Sequence, residues 1–228
     1  MTTPDESLTD TRDMFAAHTM FRREFGLMPD LIRAVRAGDK ERAALVADHV
    51  ALVSSIVSWH HSAEDRHIWP RLRERCPEEC ASLGDVMEAQ HHAIHICLLQ
   101  VTEAERAWRD SASADARGAL AAAIDQLIPV TTEHLALEEQ LVVPLSEKYI
   151  TEAEYAVLAQ EQAAHVPPDK LAAVFGMIMH DSDPTTVDMV VGEMPVEVRP
   201  AIKDLAIKAY DTYAAKLYGT ADPAVWWG

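Results

Sequence analysis

Basic side chains are scarce in this 228-residue chain, which has 20 lysines and arginines against 37 aspartates and glutamates. The resulting formal net charge is −17. Binding to nucleic acid or to an anionic membrane surface depends on a positively charged face. We therefore expect neither a nucleic-acid partner nor membrane attachment.

Cysteine and long apolar runs are also scarce. The three cysteines form no disulfide framework, which fits a reducing compartment. Cys76 and Cys80 are four residues apart, and we interpret them as reduced bystanders, the alternative being a redox or metal role. The first ten residues, MTTPDESLTD, have neither the basic start nor the apolar core of a secretory signal. No uncharged apolar run reaches the length needed to span a bilayer, so the sequence predicts a cytoplasmic protein.

Glycine occurs only 8 times and alternating β-branched residues are nearly absent, so the chain is predicted to be all-α. Four long helices on short connections predict an up-down-up-down four-helix bundle over residues 8–150. The predicted helices cover residues 8–37, with a kink near Pro29; 39–75, bent or ended by Pro70; 79–109; and 113–149, with Pro144 near its end.

Residues 151–228 are predicted to form a helical extension packed on the bundle. Thr151 and Glu154 have the spacing of a capping box that opens a short helix. A closing helix over residues 196–218 carries an apolar stripe that should be buried against the bundle or a second subunit. The stripe consists of Ile202, Leu205, Ala206, Ala209, Tyr213 and Leu217.

Two stretches of the chain repeat one motif of a histidine, a glutamate and a proline: His60, Glu64 and Pro70, and then His134, Glu138 and Pro144. All three residues of the second copy follow their counterparts in the first at one fixed offset. Residues four apart share a helix face, so each copy directs an imidazole and a carboxylate at one point. This donor pair suits iron, zinc or manganese. A buried Glu–His hydrogen bond would explain one copy, whereas the duplication favours two metal ions held between facing copies.

Further histidines lie on the apolar stripes of the other two predicted helices. His18 lies among phenylalanines, and His91 and His95 are four residues apart on the third helix. A lone histidine on such a stripe is usually a hydrogen-bonded core residue. Here the interval from His18 to His60 is almost the same as that from His91 to His134, which indicates a duplicated half-bundle.

These motifs resemble those of the hemerythrin-like family, including an actinobacterial type with a helical tail, over about residues 10–150. The resemblance implies a non-haem centre of two iron ions with an oxo or hydroxo bridge. In that arrangement His91, His95 and His134 bind one iron, His18 and His60 bind the other, and Glu64 and Glu138 bridge them. One coordination position then stays open for a small ligand.

Two of these assignments have alternatives. True hemerythrins place the fourth-helix carboxylate five residues after the histidine, at Glu139, whereas the internal repeat and helix geometry favour Glu138. For the third-helix ligand, adding the offset of the repeat to His18 gives His92. The apolar stripe and the pairing with His95 instead favour His91. We expect His61 on the flank of the bundle.

The family resemblance implies binding of O2, peroxide or nitric oxide, in the handling or sensing of oxygen or redox stress. The alternative is a di-iron oxidoreductase that breaks down peroxide, reduces nitric oxide or oxidises a substrate. The chain has no flavin or nicotinamide fingerprint, so such turnover would need a reductase partner. Iron storage or sensing is a third hypothesis, and an oligomer is compatible with the sequence.

Overall fold

The computed structural model describes residues 7–223, and these residues are all-α, as predicted. Within them the backbone forms an isolated bridge between Leu8 and Thr151 and no strand. The helices are α1 (Arg12–Ala34), α2 (Lys40–His67), α3 (Trp69–Arg75), α4 (Pro77–Cys80), α5 (Leu83–Ser111), α6 (Ala114–Leu141), α7 (Val143–Tyr149), α8 (Glu152–His165), α9 (Leu171–Met179), α10 (Pro184–Glu193) and α11 (Arg199–Tyr218).

Four of these helices are long and pack around one another. Helices α1 and α5 each contact both α2 and α6. Buried apolar side chains from all four helices join in one cluster that includes Phe21, Val50, Ile94 and Leu127. Each long helix thus covers an apolar face of two others, which is the burial that an amphipathic helix requires.

The sequence repeat extends to the helix boundaries. Helices α6 and α7 repeat the bounds of α2 and α3 at the same offset that relates the two motifs. Each pair is separated by one residue, Ile68 or Val142, and the second helix of each pair has its proline in the first turn. Proline lacks the N–H needed inside a helix but fits the first turn. The helices predicted over 39–75 and 113–149 therefore end and restart just before Pro70 and Pro144.

The other predicted boundaries need smaller corrections. The first helix is shorter than 8–37, although it continues through Pro29 to Ala34. The third, predicted over 79–109, starts only at Leu83, because α4 and a turn precede it. Gly38 lies in the connection between α1 and α2 with a φ of +84°, a conformation that glycine adopts without a Cβ penalty.

The helices after Tyr149 contact α1 and α2. Helix α8 contacts α2, and α9 contacts both α1 and α11. The predicted capping box of Thr151 and Glu154 opens α8. Helices α9 and α11 approach so closely at Gly176 that a Cβ there would lie 2.1 Å from the carbonyl oxygen of Ala206. Val174 and Leu217 belong to the same apolar cluster as the long helices.

The buried face of α11 differs from the predicted stripe. Ala206 and Leu217 are buried as expected, but Leu205 is 55% exposed. Tyr210 and Ala214 are buried on α11 instead. The buried face is rotated because Ala206 and Tyr210 of α11 meet Gly176 of α9, and the hydroxyl of Tyr210 donates to the buried carboxylate of Glu24.

By length and composition, the stretch Lys40–Arg75 could cross a membrane. Its most apolar window is 56% buried inside the structure. A core helix of a soluble protein passes the same test, and contacts with α1, α5 and α8 explain the apolar character of this stretch without a membrane.

A buried polar network joins α11 to α1 and α2. Tyr210 and Tyr218 donate hydrogen bonds to the two carboxylate oxygens of Glu24, at 3.0 and 2.5 Å. The Nδ1 atom of His49 lies 3.0 Å from the hydroxyl of Tyr213. Burial is the main cause that lowers the pKa of His49 to about 4. The network fastens the last helix to two of the long helices through side chains that meet away from solvent.

We predict that His49→Gln flattens the pH dependence of stability between pH 6.5 and 4. A folded-state pKa of about 4 against an ordinary value of 6.5 means that His49 contributes stability above pH 6.5, which is lost as the pH falls through 4. The contribution is on the order of 3 kcal/mol. Urea unfolding of both proteins across this range measures it. An unchanged pH profile in the variant would contradict the assignment.

Candidate metal centre

The first cluster of metal-ligating side chains joins three of the long helices. His18 of α1, His60 and Glu64 of α2, and Glu138 of α6 are all buried, and one donor atom from each lies within 4.8 Å of the others. The Nε2 atoms of His18 and His60 are 3.2 Å apart. His60 Nε2 lies 2.9 Å from Glu64 Oε1. The arrangement directs two imidazoles and two carboxylates at one volume.

The second cluster lies beside the first and uses α2, α5 and α6. His61, Glu64, His91 and His134 are buried with donor atoms again within 4.8 Å of one another. The ring of His61 stacks on that of His91, with centroids 4.6 Å apart and planes 15° from parallel. The ring of His134 meets both edge-on. Three imidazoles and one carboxylate converge here.

The two carboxylates lie between the clusters. Glu64 belongs to both, with Oε1 near His60 and Oε2 3.6 Å from His91 Nε2. The Oε2 atom of Glu138 is 3.5 Å from the Nε2 atoms of both His18 and His134. A carboxylate placed between two groups of imidazoles can bridge two cations.

The donor atoms of the clusters have few hydrogen bonds. Eight buried polar side-chain atoms in residues 7–223 have no hydrogen-bond partner. Six of the eight are cluster donors: His61 Nε2, both oxygens of Glu64, His91 Nε2, His134 Nε2 and Glu138 Oε2. Folded proteins rarely leave buried polar atoms unpaired, and bound cations would satisfy all six. The residues therefore fit a metal centre.

Burial also controls the protonation of these groups. It is the largest cause that raises the pKa of Glu64 and of Glu138 to about 7. It lowers the pKa of His60 to about 4 and that of His134 to about 2. Neutral imidazoles already offer a free lone pair, whereas a cation bound by the carboxylates would displace their protons.

Four of the cluster histidines are anchored through Nδ1, which leaves Nε2 facing the interior. The Nδ1 partners are Glu139 for His18 at 2.9 Å, Gln162 for His60 at 3.1 Å, Asp65 for His91 at 2.8 Å and Gln90 for His134 at 3.2 Å. The oxygen acceptors at His18, His91 and His134 fix the ring orientation and tautomer expected of metal-binding histidines, whereas the amide nitrogen of Gln162 orients the ring of His60. Burial is the largest single influence and opposes protonation of His91, but the hydrogen bond to Asp65 and the nearby carboxylates of Glu64, Asp65 and Glu138 together outweigh it and raise the pKa of His91.

A family model for the hemerythrin HHE cation-binding domain matches residues 9–145, more than half of the chain. The chain belongs to this family. The matched residues contain all of the clustered ligands in this hemerythrin domain. Comparison with curated proteins and with solved structures gives no match.

The hemerythrin domain brings together six of the seven side chains proposed as ligands from the sequence: His18, His60, Glu64, His91, His134 and Glu138. The seventh, His95, is exposed and belongs to neither cluster. It lies one helical turn beyond His91, in a cleft between α2 and α5. His61 occupies the place that was expected for His95.

Sequence reasoning placed His61 on the flank because it assumed one buried stripe on α2. Helix α2 contacts α1, α5 and α8, so two adjacent residues can both be buried. His60 faces His18 of α1 while His61 faces His91 of α5. The two adjacent histidines at the start of the motif, His60 and His61, were the sequence feature that could have indicated a second ligand on α2.

The two open alternatives also have distinct positions. His92 is exposed, whereas His91 is buried within a cluster. Glu139 lies outside the clusters, where it accepts hydrogen bonds from His18 and Arg22. Burial opposes ionisation of Glu139, but these hydrogen bonds outweigh it and lower its pKa to about 2. The negatively charged Glu139 therefore accepts a hydrogen bond from His18 Nδ1, on the side of the ring that faces away from the cluster.

Another histidine of α2, His67, and the two neighbouring cysteines lie apart from the centre. The Nε2 atom of His67 is 2.6 Å from a carboxylate oxygen of Glu161 on α8. Cys76 and Cys80 are buried with their Sγ atoms 2.9 Å apart. Burial is the main cause that raises the pKa of Cys76 to about 12, which keeps it a thiol. Neither cysteine belongs to a metal-ligating group in the described part of the chain.

We predict that His61→Ala lowers the metal content of the hemerythrin domain, whereas His95→Ala leaves it unchanged. His61 supplies one of three imidazoles to the second cluster, while His95 supplies none. Metal per chain is measured after anaerobic loading with Fe(II) and removal of the excess. His92→Ala, another exposed histidine on α5, is the matched control. Loss of metal in His95→Ala and not in His61→Ala would overturn this ligand set.

A second pair of substitutions separates the adjacent glutamates. Glu138→Gln should reduce metal content, because it removes the negative charge between both groups of imidazoles. Glu139→Gln should keep the metal content but weaken affinity by about 10–100-fold, the usual effect of losing an outer partner. Competition with a chelator measures the affinity. If Glu139→Gln loses metal and Glu138→Gln retains it, the register of α6 is wrong by one residue.

Proposed function

We propose that this chain is a non-haem di-iron protein that binds O2, peroxide or nitric oxide at an open metal position, in the handling or sensing of oxygen or redox stress. One observation carries the proposal: two buried groups of imidazoles flank two carboxylates, and three of the four carboxylate oxygens are buried without a hydrogen-bond partner in the described chain. The four long helices would form the up-down-up-down bundle that holds the pair.

The donor set supports iron. Five imidazoles and two carboxylates mix nitrogen and oxygen donors without thiolate, a combination found for iron, manganese and zinc. With Glu64 and Glu138 shared, the first position has two imidazoles and the second has three. Two six-coordinate ions would not be filled by this set, so a small ligand has room. Such a pair supplies reversible change between ferrous and ferric states together with coordination of a diatomic or peroxide ligand.

The side chains around the pair would exclude water and fix the donors. His18, His60 and Glu64 are each at most 1% exposed. The hydrogen bond from His18 Nδ1 to Glu139 holds the proton on the outer nitrogen, so that Nε2 presents its lone pair. Asp65 does the same for His91 and is itself half exposed.

We further propose a cytoplasmic location, with a reductase partner only if the centre turns over. The acidic surface gives no support for a nucleic-acid partner. Substrate oxidation or nitric oxide reduction would need a supply of electrons, and the sequence contains no fingerprint of a second redox cofactor. Ligand binding and sensing need no such supply.

The test is anaerobic reconstitution of the full chain with Fe(II), followed by absorption spectra on addition of O2, nitric oxide and peroxide in turn. We expect two irons per chain and a reversible spectral change with at least one ligand. Rapid oxidation with sustained peroxide or nitric oxide consumption would instead identify an oxidoreductase. Iron loading that raises the Tm without any ligand spectrum would identify storage or iron sensing. One iron per chain, or tight zinc without iron, would contradict the di-iron assignment.

A further inference from the structure

A polar cleft of about 680 Å³ lies between α2 and α5. Its walls carry the carboxylates of Asp65, Asp85 and Glu88, and the imidazoles of His92 and His95. All five side chains belong to exposed residues. The cleft therefore presents to solvent several donor groups of the kinds that bind divalent cations.

Two residues of the second cluster also line the cleft. His61 and His91 line the cleft and are 5% and 7% exposed. Their Nε2 atoms are buried without a hydrogen-bond partner. Two residues with an unpaired ligand atom thus belong both to the cleft lining and to the second cluster.

The charge of the cleft favours cations. Its described lining contains three carboxylates and neither lysine nor arginine. One basic side chain, Arg73, reaches Glu88 from the rim at 3.1 Å, which leaves Asp65 and Asp85 to set the sign of the field. A cleft lined by one sign of charge concentrates counter-ions and raises their rate of association.

The opposite side of the centre is closed and less favourable. Behind His18, the guanidinium of Arg22 pairs with Glu139 at 2.7 Å, so the carboxylate on that approach is already neutralised. Behind His60, the side chain of Gln162 from α8 covers Nδ1. A hydrated cation meets no comparable row of donors on either approach within the described residues.

We propose that the α2–α5 cleft is the path by which ferrous iron reaches the centre, with its carboxylates and imidazoles acting as successive transient ligands. The inference rests on the proposed di-iron function. Asp85, Glu88, His92 and His95 are not part of any group of metal-ligating atoms within 4.8 Å in residues 7–223. A cation would therefore not be held tightly at any of these residues. Each residue can bind a hydrated cation briefly and release it toward His61 and His91. This role accounts for His95, which shares the helix face of a ligand without being one.

The experiment measures the rate of Fe(II) uptake by metal-free full-length protein in an anaerobic stopped-flow instrument. The test variant combines Asp85→Asn, Glu88→Gln and His95→Gln, and it spares Asp65 because Asp65 orients His91. The matched control combines Glu103→Gln and Asp110→Asn, two exposed acidic residues farther along the same helix. The exposed pair of Glu88 with Arg73 contributes little to stability, so the test variant should fold.

We expect the test variant to take up Fe(II) about 10-fold more slowly or worse, with a weaker dependence of the rate on salt. Its final iron content should equal that of the natural chain, and the control should match the natural rate. Ser62→Lys, which adds a positive charge inside the cleft without removing a donor, should slow uptake as well.

Equal uptake rates in the natural chain, the test variant and Ser62→Lys would overturn the uptake path. A test variant that is slow only because its final iron content falls would also overturn it, since the removed side chains would then be ligands. The di-iron function is judged separately by the iron content of the natural chain. If that chain holds one ion, the di-iron assignment fails while the comparison of rates still decides the path.

Discussion

The burial of Glu64 and Glu138 among five imidazoles is the constraint on which the rest of this structure depends. Removing an unpaired carboxylate from water costs several kcal/mol, and three of the four oxygens of these glutamates have no hydrogen-bond partner within the described residues that would offset this cost. All four long helices contribute a side chain to the surrounding clusters. A bound cation would therefore stabilise the relative positions of these helices as well as the protonation state of their ligands.

The helices after Tyr149 are coupled to the centre rather than merely adjacent to it. Gln162 of α8 contacts Nδ1 of His60, whereas the other anchored cluster histidines have their Nδ1 partners on α2, α5 and α6. Helix α11 is joined to α1 and α2 through Glu24 and His49. A change in the packing of α8 would thus alter the surroundings of the His60 imidazole directly. A change in the packing of α11 would act on the centre indirectly, through α1 and α2.

Much of the arrangement could be predicted because it is encoded by local periodicity. The duplicated motif determined the helix face of His60 and Glu64, and the constant offset between its copies carried that result to His134 and Glu138. The all-α class followed in the same way from the scarcity of glycine and of alternating β-branched residues.

The differences between the sequence-based expectations and the structure share one physical cause, which is that packing between helices is not contained in the pattern of one helix. Whether His61 or His95 completes the second cluster depends on how far α2 is rotated and shifted against α5. Likewise, Tyr210 is buried in place of Leu205 because its hydroxyl meets Glu24 of another helix. The adjacent histidines of α2 could be assigned only once the contacts of that helix with both α1 and α5 were known.

Backbone hydrogen bonds bring residues 7–9, which precede α1, beside residues 150–152, which follow α7. The amide of Thr9 donates to the carbonyl of Ile150 at 3.1 Å, and that of Glu152 donates to Ser7 at 3.0 Å. The chain leaving α7 therefore passes the chain that leads into α1. Residues 12–75 and 83–149 each provide imidazoles and one glutamate to the clusters. The two halves thus supply the same kinds of donor to one centre, as expected of a duplicated pair of helices.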